Sequence, residues 1–250
     1  MRQIFAVFKR ELGLYFRSPV AYAIAFALLL FFGLLFSNSL SQAAQSQQTP
    51  ADAVNYIPSV LTFLLFLVAP LLTMRLLSEE AREGTLEVLM TMPITEAQFI
   101  IGKFLAVWAY YTVILLLTGI YYVVLTMVGV PDTGRAFGMY FGAWLYGGAA
   151  LAVTLIWSAV TEDQVVAAFL GAASVLVLYL AEVAAGAIGN LPNVNPGLGS
   201  FIRELGFQAH YDSTMLNGVI RAEDILYFVF MIVAALFITT RIVEVRRWRS

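Results

Sequence analysis

A polar stretch divides the first half of an otherwise apolar chain, and it reads RLLSEEAREGTLEVLMTMPIT over residues 75–95. Apolar runs of membrane-spanning length lie on both sides of it, since about 20 apolar residues cross a hydrocarbon layer roughly 30 Å thick. A charge-dense run between two such segments is typical of a loop outside the membrane. The stretch therefore predicts a membrane protein with a polar connection between two of its spans.

Composition supports the membrane class. Apolar residues make up 61% of the chain and charged residues only 12%, whereas soluble domains contain roughly 25% charged residues. The chain has no cysteine and a single histidine, which excludes thiol chemistry and leaves little for a metal site. The basic C-terminal end around Trp248 suits anionic lipid headgroups and is too small to predict a nucleic-acid partner.

Hydropathy predicts an all-α membrane protein in which residues 1–250 form one transmembrane domain. Six spans are expected at about 20–38, 56–77, 97–129, 136–160, 165–188 and 224–243. Residues 1–18 place Phe5, Phe8 and Leu12 at helical spacing and predict an interfacial, amphipathic elbow helix that ends before Pro19. Phe207, Tyr211, Met215 and Val219 predict a short amphipathic helix at the outer membrane face before span six.

Basic residues set the expected orientation of the spans. The two termini and the loop after span two carry most of them, and with six spans all three regions lie on one side. The opposite side receives only Arg135, Arg203 and Arg221. We therefore expect both termini in the cytoplasm.

Capping residues divide the coupling region, residues 78–95, into two short helical pieces. Ser78 is expected to cap the first piece, with Glu79 and Glu80 near its N-terminus, and Gly84 to interrupt it. Thr95 starts a capping box that opens span three.

The second piece is the predicted coupling helix. Thr85 can cap it, Glu87 lies in its first turn, and Pro93 ends it. Its apolar face, at i, i+3, i+4 spacing, consists of Leu86, Leu89 and Met90. From these residues alone, a helix gripped by a soluble partner and a solvated hairpin that only connects two spans fit equally well.

Two features of the spans point to packing or gating. Glu182 is the only acid well inside a span, so a structural role and a role in gating both stay open. Because Glu182 stands alone among the spans, an intramembrane enzyme lacks its paired catalytic groups. Gly138, Gly142 and the pair at 147–148 favour close packing of span four within the chain over a dimer face.

The coupling region also carries a family resemblance. Its residues resemble the signature of ABC-2-type transporter permeases, in the order Glu80-x-x-Glu83-Gly84-Thr85-Leu86-Glu87-x-Leu89, then Met92-Pro93-Ile94-Thr95 and Gly102-Lys103. The region from Ile202 to Phe228 is similar to the gliding-motility (GldF-like) branch of that family, with Leu216-Asn217 where the branch has a Ser-Arg pair.

The resemblance implies a non-catalytic permease subunit of an ABC transporter in the bacterial inner membrane. ATP would bind to a separate cytoplasmic ATPase dimer, and no phosphate-binding loop is present in the sequence. A second copy of the permease is implied, and branch members commonly work with a membrane protein that has a large periplasmic domain. The implied ATPase-coupling residues are Glu79, Glu80, Glu83, Gly84, Thr85, Leu86, Glu87, Leu89, Met90 and Pro93.

The resemblance implies either export or transmission of force across the membrane, and the substrate is not specified by the sequence. The alternative is a membrane scaffold that anchors an extracytoplasmic partner and moves nothing.

Overall fold

The described residues form helices and their connections, without a strand. The structure is a computed structural model, and it describes residues 2–45, 56–84, 94–129, 131–189 and 196–247. The helices are α1 (Arg2–Tyr15), α2 (Pro19–Gln45), α3 (Tyr56–Thr73), α4 (Ser78–Arg82), α5 (Glu96–Val128), α6 (Thr133–Val160), α7 (Gln164–Gly189), α8 (Pro196–Leu205), α9 (Phe207–Tyr211) and α10 (Ala222–Arg247). A short 3-10 turn, Met215–Asn217, lies between α9 and α10.

Six segments of the described chain are long and apolar enough to cross a membrane, which confirms the six predicted spans. They are Pro19–Gln45, Tyr56–Arg82, Glu96–Met127, Thr133–Val160, Gln164–Gly189 and Ala222–Val245. Two boundaries differ from the prediction. Residues 39–45, which lie beyond the predicted end of span one, continue α2 because their Ala, Gln and Leu residues are tolerated in a helix and no Gly or Pro interrupts them. The helix of span two ends at Thr73, followed by a turn into α4.

Helix α6 forms the centre of the bundle. In its most apolar 18-residue window 78% of the residues are buried, against 22% for α2, α7 and α10. Helices α3, α7 and α10 pack around α6. Glycines permit the close approach: a Cβ atom on Gly142 would lie 2.7 Å from Met215, and one on Gly148 would lie 2.8 Å from Trp108. The prediction that these glycines pack within the chain is confirmed.

The segment before α10 is not the single membrane-surface helix that the sequence predicted. It consists of α8, α9 and the 3-10 turn, with breaks at Gly206 and after Tyr211. Phe207, Tyr211 and Met215 are fully buried against the bundle. The sequence correctly predicted that these three residues form an apolar face. Protein covers that face, namely α6 and its neighbours, and the Tyr211 hydroxyl donates to the carbonyl of Met139 on α6 at 3.2 Å.

Helix α1 lies along α5, with Val7 and Glu11 buried between them. The contact is close at Gly102, where a Cβ atom would lie 2.7 Å from the Cβ of Val7. Phe5, a member of the predicted apolar stripe, is exposed. The helix predicted over residues 1–18 is observed, and its position on the membrane surface stays a prediction.

Candidate functional site

Four charged side chains meet where α1, α4 and α5 converge. The Nζ atom of Lys103 lies 3.2 Å from Oε1 of Glu11 and 3.0 Å from Oε1 of Glu80. Nη2 of Arg10 lies 2.6 Å from the same atom of Glu11 and 3.0 Å from that of Glu80. We call Arg10, Glu11, Glu80 and Lys103 the charge cluster. It joins α1, α4 and α5 by ion pairs, although α1 is far from α4 and α5 in the sequence.

Most of the charge cluster is withdrawn from solvent. The exposed fractions of the side chains are 2% for Lys103, 5% for Glu11 and 14% for Glu80, while Arg10 is half exposed. Burial alone would lower the pKa of Arg10, but the carboxylates of Glu11 and Glu80 raise it by more. The pKa therefore lies above its usual value, and the guanidinium stays charged. Two cations and two carboxylates balance one another, and each buried charge depends on its partners because an unpaired buried charge is costly.

Local sequence explains how the charges come together. Gly102 lets α1 approach α5, and this approach carries Glu11 to the side chain of Lys103, the next residue along. The ammonium of Lys103 also lies 4.9 Å from the ring centroid of Phe99, one turn earlier on α5. The cluster therefore depends on a glycine that permits contact and a lysine placed directly beside it.

Helix α4 is held from the other side by Ser158 of α6. The amides of Leu77 and Ser78 donate to the Ser158 hydroxyl at 3.0 and 3.2 Å. The same hydroxyl donates to the carbonyl of Met74 at 3.2 Å. A serine hydroxyl can donate once and accept twice, so Ser158 is fully used, and it is completely buried. The turn from α3 into α4 is thus attached to the central helix.

The predicted cap by Ser78 is wrong. Leu77 occupies the N-cap position of α4 and makes no side-chain capping bond, and Ser78 is the first helical residue. The Ser78 hydroxyl instead donates to the carbonyl of Met74, one turn back. The amides of the N-cap residue Leu77 and the first helical residue Ser78 instead donate to Ser158 from α6, a partner that no local pattern could indicate.

The structure brings one of the predicted coupling residues into the charge cluster. Glu80 joins it, Glu79 lies beside it in the first turn of α4, and Glu83 and Gly84 follow the end of the helix. The predicted break at Gly84 is confirmed by its φ of +68°, a conformation that favours glycine. The remaining predicted coupling residues lie outside the described residues: Thr85, Leu86, Glu87, Leu89, Met90 and Pro93.

The capping box predicted at the start of span three is confirmed. The amide of Gln98 donates to the Thr95 hydroxyl at 3.3 Å, and the Gln98 side chain accepts from the Thr95 amide at 3.4 Å. This box fixes the first turn of α5, two turns before Lys103.

Sequence reasoning missed Arg10, Glu11, Lys103 and Ser158 as site residues. One signal was available: Lys103 is a single cation near the start of a long apolar span, and such a residue needs a partner. The sequence offers several acids as that partner, so only the packing of α1 on α5 identifies Glu11 and Glu80. Ser158 gives no signal at all, because a serine in an apolar helix is ordinary.

Glu182 lies at the other end of the bundle from the charge cluster. It is half-buried on α7 and near Asp212, which follows α9. Burial raises the pKa of Asp212 to about 6, and the negative charge of Glu182 contributes. The Asp212 carboxylate accepts a hydrogen bond from Gln208 at 2.7 Å. Glu182 therefore has an acidic neighbour from another segment, and its role in gating stays a prediction.

His210 attaches the segment before α10 to that helix. Its Nδ1 lies 3.0 Å from Oδ1 of Asp224, its Nε2 lies 3.1 Å from the carbonyl oxygen of Glu204, and its ring stacks on Tyr227. Within the described part of the chain, no group of three or more His, Cys, Asp or Glu side chains could hold a metal ion.

Comparison with known families gives a match over most of the chain. The model of the family described as ABC-2 type transporter matches residues 2–205, a range that contains all four members of the charge cluster and Ser158. No curated protein matches the chain.

Proposed function

Because the chain belongs to the ABC-2 type transporter family, we propose that it converts ATP hydrolysis by a separate cytoplasmic ATPase into movement of its own spans. The chain is a multi-pass membrane protein and the permease subunit of an ABC transporter. Residues 1–250 form one transmembrane domain, with both termini on the cytoplasmic side of the bacterial inner membrane. ATP binds to the partner, and the permease itself holds no nucleotide.

The charge cluster is the observation that carries the proposal. A force on the coupling region acts first on α4, because residues 78–95 begin with this helix. From Glu80 the force passes through the ion pairs of Lys103 to α5, and through those of Arg10 to α1. Ser158 passes it to α6, the central helix. Buried ion pairs suit this task, since breaking one of them leaves a buried charge without its partner.

The partners follow from the family. Two permease chains pair with two ATPase subunits, which press on the coupling region, residues 78–95. The chain belongs to the gliding-motility (GldF-like) branch, whose companion carries a large periplasmic domain. The work is export or transmission of force, and gating at Glu182 lies on the periplasmic side.

Charge reversal within the charge cluster tests this proposal. The permease is reconstituted with its ATPase in vesicles, and the permease-dependent change in ATPase activity is measured. Lys103→Glu places three carboxylates together and should abolish that change. The quadruple variant Arg10→Glu/Glu11→Arg/Glu80→Lys/Lys103→Glu reverses every charge, keeps opposite charges in all four close pairs and should restore most of it.

The matched control is Glu223→Gln, which removes an exposed carboxylate paired with Arg221 far from the cluster. It should leave the ATPase response unchanged. Full coupling in the folded Lys103→Glu variant would contradict the proposal, as would a quadruple variant that folds, binds the ATPase and stays uncoupled.

A further inference from the structure

We propose that a phospholipid with a phosphate and a primary ammonium group, of the phosphatidylethanolamine class, binds in the cleft between α1, the start of α2 and the end of α3. The inference concerns binding alone and does not rest on the proposed coupling function. It is carried by the shape of the cleft and by the charges that remain after the charge cluster is neutralised.

The cleft has the size and the walls that such a lipid needs. Its volume is about 780 Å³, within the range of roughly 300–1,000 Å³ for sites that bind small molecules. Apolar side chains form one wall, namely Leu14, Val20, Ile24 and Leu71. The wall continues along α2, where Phe31, two turns after Ile24 on the same face of the helix, is exposed. Acyl chains can therefore leave the cleft along α2 without meeting water.

Two arginines form the binding site for the phosphate. Arg17 precedes α2 and Arg75 follows α3, so both lie where a span ends, and both line the cleft. Neither forms an ion pair within the described part of the protein. The first turn of α2 lines the same wall, and the N-terminal amides of a helix favour a phosphate. Arginine is suited to phosphate because its planar fork donates two hydrogen bonds.

Two carboxylates form the binding site for the ammonium group. Glu79 and Glu83 line the cleft one and two helical turns beyond Arg75, farther from α3. Among the described residues neither takes part in an ion pair. The other four charges of the cleft neutralise one another within the charge cluster. What remains is two cations next to the spans and two carboxylates beyond them, which complements a zwitterionic headgroup better than a purely anionic one.

Lipid binding to the purified permease, measured by native mass spectrometry, tests the inference without the ATPase. The probes are phosphatidylethanolamine, phosphatidylcholine and phosphatidylglycerol with identical acyl chains. Phosphatidylethanolamine should bind most tightly, because the quaternary ammonium of phosphatidylcholine cannot donate hydrogen bonds and phosphatidylglycerol has no cation. Equal or tighter binding of phosphatidylglycerol would overturn the inference.

Paired variants assign the binding to this cleft. Arg17→Gln/Arg75→Gln should weaken phosphatidylethanolamine binding about tenfold or more, since both arginines attract the phosphate of the headgroup. Lys9→Gln/Arg241→Gln removes the same charge from residues that do not line the cleft and should change nothing. Equal losses in both double variants would show a general basic surface and overturn the proposal.

Two further arms separate the parts of the ligand. Glu79→Gln/Glu83→Gln should remove the preference for phosphatidylethanolamine over phosphatidylglycerol while keeping the phosphate contact. Inorganic phosphate should not displace the lipid, because it lacks the acyl chains that occupy the apolar wall. A preference unchanged by the glutamate variants, or displacement by phosphate alone, would contradict a lipid site.

Discussion

Lys103 shows how much depends on a single buried cation. Its ammonium is the partner of both Glu11 and Glu80, and all three side chains are mostly buried. Lys103→Met should therefore destabilise the fold by about 3 kcal/mol or more, because two carboxylates lose their common partner. The measurement is thermal unfolding in detergent, followed by intrinsic tryptophan fluorescence. Lys9→Met makes the same chemical change at an exposed position of α1 and should alter stability by no more than about 0.5 kcal/mol. Equal effects would show that burial is not the cause.

The raised pKa of Asp212, at the opposite end of the bundle, predicts that the stability of the protein depends on pH. Its pKa in the folded protein is about 6, above the value of about 3.9 for an unfolded aspartate. Between these values the folded state binds more protons, so stability falls as the pH rises from about 4 to about 6 and stays lower above that window. Asp212→Asn should remove this loss and raise the melting temperature at pH 7.5 by about 2–4 °C, or about 1 kcal/mol after solvent screening.

Melting curves from pH 4 to 7.5 check this prediction for the native chain, Asp212→Asn and Glu182→Gln. Glu182→Gln removes the nearby negative charge, so the loss of stability should move to a lower pH. Asp132→Asn is the control, since Asp132 caps α6 outside this pair. An unchanged pH profile in Asp212→Asn would contradict the assignment.

At the scale of helices, the contact of α1 with α5 depends on Gly102. Gly102→Ala should shift α1, because the added Cβ would lie 2.7 Å from the Cβ of Val7 and 3.1 Å from the carbonyl oxygen of Ile4. Gly119→Ala is a matched control on the same helix, with no atom within 4 Å of the added group. Alanine should stabilise α5 by about 0.5–1 kcal/mol at position 119 and destabilise the protein at position 102. Thermal unfolding of the two variants separates these effects, and stabilisation by Gly102→Ala would contradict the described contact.

Ser158 tests the attachment of α4 to α6. Ser158→Ala leaves the buried amides of Leu77 and Ser78 without their acceptor, at a cost of about 1–3 kcal/mol. Hydrogen exchange should increase around residues 77–82 and remain unchanged in α10. Ser41→Ala is the control, because its hydroxyl donates to the carbonyl of Ser37 on the exposed end of α2, away from α4. Unchanged protection at residues 77–82 would show that α4 is held by other contacts.

Hydropathy and local chemistry predicted what is local in this fold. The six spans, the break at Gly84 and the capping box at Thr95 follow from composition and from neighbouring residues, and all of them are present. The failures involve partners distant in sequence. Ser78 is not the cap, and the start of α4 is instead bonded to Ser158 from α6. Glu11 pairs with Lys103, which lies far away in the sequence. Periodicity shows that Phe207 and Tyr211 need cover, but it cannot say whether lipid or protein provides it.

At the scale of the whole molecule, contacts at the two ends of α6 connect different regions. One end meets the turn into α4 through Ser158, and the other meets the segment before α10, where a Cβ on Gly138 would lie 2.7 Å from the Cα of Gly218. A close-packed helix that contacts both regions can carry a displacement from one to the other, since packed interiors are stiff. This arrangement is consistent with a permease whose central helix connects the coupling side to the opposite face.

The most direct test of the account is a set of distances between spin labels in the permease reconstituted with its ATPase. The chain has no native cysteine, so cysteines introduced at exposed Phe5 on α1, Arg82 on α4 and Val166 on α7 can be labelled specifically. Pulsed electron paramagnetic resonance then gives the distances with and without trapped nucleotide. We predict a constant distance between α1 and α4, a changed distance from both to α7, and loss of this joint movement in Lys103→Glu. Movement of α4 without α1, or no movement at all with nucleotide bound, would contradict transmission through the charge cluster.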